Sequence, residues 1–130
     1  MIGYVTFGTN DLDRARAFYD ALLAELGARR LMEFPENGFT LYATGWGKPG
    51  IAITRPYNGE PAVAGNGNMV AIVVDARDKV DNLHARAIAL GGSDEGAPGL
   101  RSPEGAHAFY GAYFRDPDGN KICVFRLGPA

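Results

Sequence analysis

The sequence predicts an α+β fold in which paired βαβββ modules form curved sheets around a cup-shaped cavity. Three observations indicate this fold: an internal repeat of half the chain, strand-like alternation with period two, and two helical patterns that each end at glycine. Val5 and Val70 lie 65 positions apart, and Gly27 and Gly91 lie 64 apart, in a chain of 130 residues. One module cannot bury its apolar sheet face alone, so the two sheets are expected to enclose a shared cavity.

Residues 1–57 are predicted to form the first module. Ile2–Gly8 alternates as a strand does, and Asn10 and Asp11 offer side-chain oxygens that can cap the amides of a following helix. Gly27 supplies the left-handed residue that ends this helix. The apolar residues that line one helical face are Leu12, Ala15, Tyr19, Leu22, Leu23 and Leu26. The three strands that follow are Arg30–Phe34, Phe39–Ala43 and Ile51–Thr54.

Gly, Pro and Asn then become frequent, which is typical of a connector, and we place this connector at residues 58–65. The second module is predicted at residues 66–128, where Asp75 is expected to cap a helix that ends at Gly91. Its helical face carries Val80, Leu83, Ala87 and Leu90. Its strands are predicted at Met69–Val74, Gly96–Leu100, Tyr110–Arg115 and Ile122–Leu127, of which Gly96–Leu100 has the weakest pattern.

Composition excludes several classes of protein. The net charge is −2 and like charges do not cluster, so we expect no binding of nucleic acid or of an anionic membrane surface. With 46% apolar and 22% charged residues, the chain can bury a globular core. The single cysteine cannot form an internal disulfide, and the first residues lack the pattern of a signal peptide, so a cytoplasmic location is expected.

Two motifs carry a resemblance to a known family. Asp11–Tyr19 reads Asp-Leu-Asp-Arg-Ala-Arg-Ala-Phe-Tyr, and Asp116–Ile122 reads Asp-Pro-Asp-Gly-Asn-Lys-Ile. Together with the paired βαβββ pattern, they resemble the vicinal oxygen chelate superfamily, which includes glyoxalase I, extradiol dioxygenases, and bleomycin and fosfomycin resistance proteins. The resemblance covers nearly the whole chain. It indicates the fold rather than the reaction, because one fold supports many chemistries.

In catalytic members of this superfamily, up to four His and Glu side chains hold a divalent metal inside the cup. The residues at the corresponding positions here are Tyr4, Ala52, Met69 and Cys123. Such a metal binds imidazole nitrogen or carboxylate oxygen, whereas Ala offers no donor and a thioether suits only soft ions. Phenol and thiol are ligands only when deprotonated. We therefore expect no metal and no cofactor, and we expect these four side chains to cluster in the cup.

Aromatic and polar side chains are the candidates for contact with a small-molecule ligand. Tyr42 and Trp46 would supply aromatic walls, and His107 or a tyrosine hydroxyl would orient the ligand by hydrogen bonding. Period two places Tyr110 and Tyr113 on opposite sheet faces unless a bulge realigns them, and both phenols could instead pack the sheet. The full set of candidate ligand-binding residues is Tyr4, Tyr42, Trp46, Ala52, Met69, His107, Tyr110, Tyr113 and Cys123.

The predicted function is that of a glyoxalase/bleomycin-resistance-like protein that binds a small amphipathic organic molecule without the family metal. One alternative is a metal-dependent lyase or dioxygenase resembling glyoxalase I, with displaced ligands such as Glu104 and His107. Another is a copy that has lost its ligand and serves as an assembly partner. A homodimer is expected, because open curved sheets leave exposed edges and because the superfamily commonly pairs. Cys123 is read as a small buried apolar residue rather than a nucleophile.

Overall fold

The structure is a computed structural model that describes residues 1–130. Its elements are β1 (Tyr4–Gly8), α1 (Leu12–Ala24), β2 (Arg29–Phe34), β3 (Phe39–Ala43), β4 (Gly50–Thr54), β5 (Val70–Val73), α2 (Arg77–Ala89), β6 (Ser93–Leu100), β7 (Phe109–Arg115) and β8 (Lys121–Leu127). Each half therefore has the order βαβββ, which confirms the predicted α+β class. Neither helix has the length and apolar character needed to cross a membrane.

The chain divides into two compact units, of which unit 1 comprises Met1–Asn66 and Pro117–Asn120. Its sheet has the strand order β1-β4-β3-β2, with β1 parallel to β4 and the other neighbours antiparallel. One sheet face packs against α1, where Phe7 stacks on Tyr19 with ring centroids 6.1 Å apart. Because side chains alternate along a strand, the residues on either side of Phe7 face away from α1. We call this second surface the helix-free face of unit 1.

The predicted N-cap of the first helix and the glycine that follows its end are confirmed, but the helix ends at Ala24, so Leu26 lies beyond it rather than on its apolar face. The Asp11 carboxylate accepts a 3.0 Å hydrogen bond from the backbone N–H of Arg14, which is the geometry of an N-cap. Gly27 adopts a φ of 75°, which only glycine takes without strain, just after the helix ends. The helical face that packs against the sheet is formed by the buried residues Leu12, Ala15, Phe18, Tyr19, Leu22 and Leu23.

Unit 2 comprises Gly67–Asp116 and Lys121–Ala130. Its strand order is β5-β8-β7-β6, with β5 parallel to β8, so its topology repeats that of unit 1. α2 covers one face of this sheet, where the His84 and Phe114 rings lie 6.4 Å apart. Gly91 has a φ of 103°, which confirms the predicted left-handed end of the helix. The opposite surface is the helix-free face of unit 2.

Asp75 is not the cap of the second helix, so that prediction is wrong. The N-cap is Ala76, which makes no side-chain capping bond, and α2 begins at Arg77. The two helices begin 65 residues apart, at Leu12 and at Arg77, so Asp75 lies one position too early to reach the free amides. Its carboxylate instead lies 2.6 Å from the ammonium of Lys79.

The strand with the weakest sequence pattern is longer than predicted. β6 begins at Ser93, three residues before the predicted start, and its pairing with β7 shifts in register between Asp94 and Gly96 and again between Gly96 and Gly99. These irregularities explain the weak alternation, because each shift changes which side chains face α2.

A turn from the second half of the sequence belongs to unit 1. Pro117–Asn120 joins β7 to β8, and its Asp118 carboxylate accepts three hydrogen bonds at the start of α1. The donors are the Thr9 hydroxyl at 2.6 Å, the Asn10 backbone N–H at 3.0 Å and the Arg14 guanidinium at 3.1 Å. The two sequence motifs that carry the family resemblance therefore meet at this carboxylate.

Candidate functional site

The pairing of β7 with β8 determines which tyrosine lies on the helix-free face of unit 2. The two strands pair without a register shift along the whole of Phe109–Arg115, so no bulge realigns the side chains. Tyr110 faces α2, where its hydroxyl donates a 2.7 Å hydrogen bond to Asp81. Tyr113 therefore lies on the helix-free face, directly opposite Cys123 on the neighbouring strand.

Two basic side chains approach the ring of Tyr113. The guanidinium carbon of Arg101 lies 5.4 Å from the ring centroid, and the ammonium nitrogen of Lys121 lies 5.7 Å from it. Both distances fall within the range of cation–π attraction. We call Arg101, Tyr113, Lys121 and Cys123 the Tyr113 cluster.

Backbone contacts hold the guanidinium of Arg101 in place. It donates hydrogen bonds to the carbonyl oxygens of Gly99 at 2.9 Å and of Ala97 at 2.6 Å. A methyl group placed on Gly96 or on Gly99 would lie 3.2 Å from a guanidinium nitrogen. The two glycines of β6 thus leave the space in which Arg101 lies along the strand.

The two cations of the Tyr113 cluster are not paired with carboxylates. The carboxylates of unit 2 pair with other cations, as in Arg77–Glu104, Lys79–Asp75, His84–Asp94 and Arg115–Glu95. The neighbouring cation is Arg115, which lies opposite Lys121 on the adjacent strand. Its guanidinium lies 2.6 Å from the carboxylate of Glu95. The cluster therefore adds positive charge to this end of the helix-free face.

The thiol and the phenol of the cluster stay protonated at neutral pH. Burial raises the pKa of Cys123, while the hydrogen bond from Tyr113 and the charges of Arg101 and Lys121 oppose that rise. Burial and the neighbouring Cys123 raise the pKa of Tyr113. Cys123 is 1% exposed, so it is buried as predicted, and a raised pKa makes its thiol a poor nucleophile.

A stacked aromatic pair lies beside the cluster on the same face. The rings of Phe109 and Phe125 are 4.9 Å apart and inclined by only 7°. Gly111 pairs with Phe125, and a methyl group on Gly111 would lie 2.7 Å from the Phe109 ring. The absence of a side chain at Gly111 therefore lets the Phe109 ring lie flat against the sheet. The helix-free face thus joins an apolar aromatic surface to a cationic one.

The candidate residues of unit 1 lie on two different faces of its sheet. Tyr4 and Ala52 share the helix-free face, where the Tyr4 ring lies 5.7 Å from that of Phe39 and Ala52 is fully buried. Tyr42 is 1% exposed and packs against α1, with its hydroxyl donating a 2.7 Å hydrogen bond to Asp20. Tyr42 is therefore a core residue rather than an aromatic wall beside Tyr4, because strand alternation turns it toward the helix.

The remaining candidates lie in connecting segments. Trp46 is exposed in the turn between β3 and β4, Met69 is half-exposed just before β5, and His107 is exposed in the turn before β7. Arg101 and Lys121 were not among the candidate residues predicted from the sequence. Alternation along β8 could have placed Lys121 on the face of Cys123, but the path of Arg101 depends on the irregular pairing of β6.

The residues present do not fit a hard divalent metal. The four side chains at the family's metal positions are Tyr4, Ala52, Met69 and Cys123. They include one methyl group and one thioether, and the raised pKa of the buried thiol disfavours its thiolate. The displaced ligand Glu104 is bound by Arg77 through hydrogen bonds of 2.9 and 2.5 Å. No three His, Cys, Asp or Glu side chains of the chain are grouped to hold a metal ion.

Comparison with known proteins supports the same family. The model of the Glyoxalase/Bleomycin resistance protein/Dioxygenase superfamily matches residues 1–124. A glyoxalase/bleomycin resistance protein from Albidiferax ferrireducens T118 is 38% identical, covers 97% of this chain and 98% of its own, and superposes with a TM-score of 0.83. A glyoxalase/bleomycin resistance protein/dioxygenase family enzyme from Burkholderia phytofirmans PsJN is 25% identical, with 96% and 97% coverage and a TM-score of 0.73. Comparison with curated proteins gave no significant match.

Proposed function

Because the chain belongs to the glyoxalase/bleomycin resistance protein/dioxygenase superfamily, we propose that it binds a small amphipathic organic molecule on the helix-free face of unit 2. The observation that carries this proposal is the stacked pair of Phe109 and Phe125 directly beside the Tyr113 cluster. An apolar surface with a few polar groups at one end is the usual composition of a small-molecule site.

The two ends of this surface would contact different parts of the ligand. The apolar body would lie on the rings of Phe109 and Phe125, and each 100 Å² of apolar surface removed from water contributes about 2.5 kcal/mol. The Tyr113 hydroxyl lies beside the thiol of Cys123, and as both a donor and an acceptor it can form a hydrogen bond with the ligand's polar group. Burial supplies affinity, and the hydrogen bond fixes the ligand's orientation.

The enzyme alternative requires a metal site that the donor set does not fit. A metal-dependent lyase or dioxygenase with Glu104 and His107 as ligands would need Glu104 released from Arg77. No contact of these residues favours that arrangement. The metal content of the purified protein tests this alternative separately from ligand binding.

A fluorescence titration tests the proposed function. The probe is N-phenyl-1-naphthylamine, an uncharged two-aryl amine whose emission increases in apolar surroundings. We expect saturable binding with a dissociation constant on the order of 10 μM. The Gly111→Ala variant should bind at least about 5-fold more weakly, because the new methyl group displaces the Phe109 ring from its stack.

Gly3→Ala is the matched control, because a methyl group at Gly3 meets nothing within 4 Å. It should bind the probe as the wild type does, and urea unfolding should show that both variants are folded. Absence of saturable binding by the wild type, or equal affinity of Gly111→Ala and wild type, would contradict the proposal.

A further inference from the structure

We propose that the ligand of this site carries an anionic group, such as a carboxylate, sulfonate or phosphate, which Arg101 and Lys121 bind beside the ring of Tyr113. The inference rests on the proposed function and adds the chemical class of the ligand. It is carried by the placement and the charge of the two cations.

Arg101 is arranged in advance for an anion. Its two hydrogen bonds to the carbonyls of Gly99 and Ala97 use two of its five N–H donors and leave the others available. Because the guanidinium is already held against the Tyr113 ring, little side-chain freedom is lost when an anion binds.

The charges at this end of the sheet favour an anion further. Arg101, Lys121 and Arg115 lie on or beside the same face, where Arg115 pairs with Glu95. The two cations beside one aromatic ring repel each other. A bound anion is attracted by both of them, and this attraction would offset their mutual repulsion. A neutral polar ligand would leave the repulsion in place.

The spacing of the strand residues limits the size of the ligand. Cys123 and Phe125 are two positions apart on one face of β8, which corresponds to about 7 Å along a strand. An anionic group at the Tyr113 cluster can therefore reach the aromatic pair with a ring attached directly or through a short linker. Aryl and short arylalkyl acids have these dimensions.

Two dyes that share one apolar body test the inference. 1-Anilinonaphthalene-8-sulfonate is N-phenyl-1-naphthylamine with an added sulfonate, so comparing the two isolates the contribution of the anion. We expect Arg101→Gln and Lys121→Gln each to weaken binding of the sulfonate dye about 5-fold or more. Binding of the uncharged dye should change less than about 2-fold in the same variants.

Lys79→Gln is the matched control, because it removes one positive charge from α2, where Lys79 pairs with Asp75 away from the cluster. It should leave binding of both dyes unchanged. Raising the salt concentration should weaken the sulfonate dye and not the uncharged one. Displacement of the sulfonate dye by 2-naphthoate or by naphthyl phosphate would support the inference and identify the preferred acid.

The outcomes separate this inference from the proposed function. If the uncharged dye binds but Arg101→Gln and Lys121→Gln leave the sulfonate dye unaffected, the anion site is wrong while the proposed function stands. Displacement by neutral 2-naphthamide as effective as by 2-naphthoate would also overturn the anion site. If neither dye binds the wild type, both proposals are wrong.

Discussion

The hydroxyl of Thr9 donates a 2.6 Å hydrogen bond to the carboxylate of Asp118, 109 positions along the chain. Thr9 is 2% exposed and the Asp118 side chain is 3% exposed, so the bond is shielded from water. Thr9 lies two residues before the first of the two motifs that carry the family resemblance, and Asp118 lies within the second. These motifs therefore specify how unit 1 is assembled, which explains why they indicate the fold and not the reaction.

Replacing Asp118 with Ala should destabilise the protein. The change removes the acceptor of three hydrogen bonds and leaves the Thr9 hydroxyl buried without its carboxylate partner. We expect the free energy of unfolding in urea to fall by about 2 to 3 kcal/mol. Glu60→Gln, which removes an exposed carboxylate in the same unit, should change it by less than about 0.5 kcal/mol. A similarly small loss for Asp118→Ala would contradict the structural role of the turn.

Replacing Tyr42 with Phe should lower stability by about 1 kcal/mol at neutral pH, because the ring keeps its place while the hydrogen bond to Asp20 is lost. Tyr57→Phe is the matched control, since Tyr57 is fully exposed and its loss of a hydroxyl should have no effect on unfolding. Chemical denaturation of the two variants and the wild type measures both effects.

The effect of Tyr42→Phe should depend on pH. Burial and the hydrogen bond to Asp20 raise the pKa of Tyr42 above its ordinary value of 10.0. Above that value the unfolded chain releases this proton and the folded chain keeps it, so wild-type stability falls as pH rises. The stability difference between wild type and variant should be constant below pH 10 and should narrow above it. A gap that widens above that pH would show that Tyr42 ionises readily in the fold.

The purified protein is expected to contain less than about 0.1 equivalent of nickel, zinc, iron or manganese. The physical reason is that a methyl group, a thioether and a buried protonated thiol occupy three of the four family ligand positions. Elemental analysis after purification without chelator measures this. Near one equivalent of metal, lost together with a lyase or dioxygenase activity on treatment with EDTA, would support the enzyme alternative instead.

We also expect the chain to form a homodimer in solution. The edge strands of the two sheets are β1 and β2 in unit 1 and β5 and β6 in unit 2, and edge strands favour pairing with another chain. Val73, on edge strand β5, is 67% exposed, and covering it in a dimer interface would remove apolar surface from water. Light scattering at micromolar concentration should give twice the chain mass of 13.9 kDa. A mass of 13.9 kDa would contradict the prediction.

Local patterns were sufficient to predict most of the fold. The helix ends at Gly27 and Gly91 depend on a left-handed residue, and that requirement can be read from a single position. The cap at Asp75 could not be placed in this way, because a shift of one residue between the two copies moves the side chain beyond reach of the helix amides.

The candidate site was less predictable, because a side chain contributes to it only if it lies on the helix-free face of its sheet. Alternation separated Tyr110 from Tyr113 correctly, but aromatic character alone did not show that Tyr42 faces α1. Arg101 follows a strand with two register shifts, so no periodic pattern could place its guanidinium over a ring twelve positions later in the chain.

The placement of Pro117–Asn120 in unit 1 has a consequence for synthesis on the ribosome. A nascent chain that has released only residues 1–66 has every strand and the helix of unit 1 but lacks the carboxylate that Thr9 and Asn10 bind. Because chains emerge N-terminus first, the hydrogen bonds of Thr9 and Asn10 to Asp118 form only after nearly the entire protein has been translated. The first copy of the motif thus depends on four residues from the second half of the sequence, and truncation after the first copy is expected to yield an incompletely stabilised product.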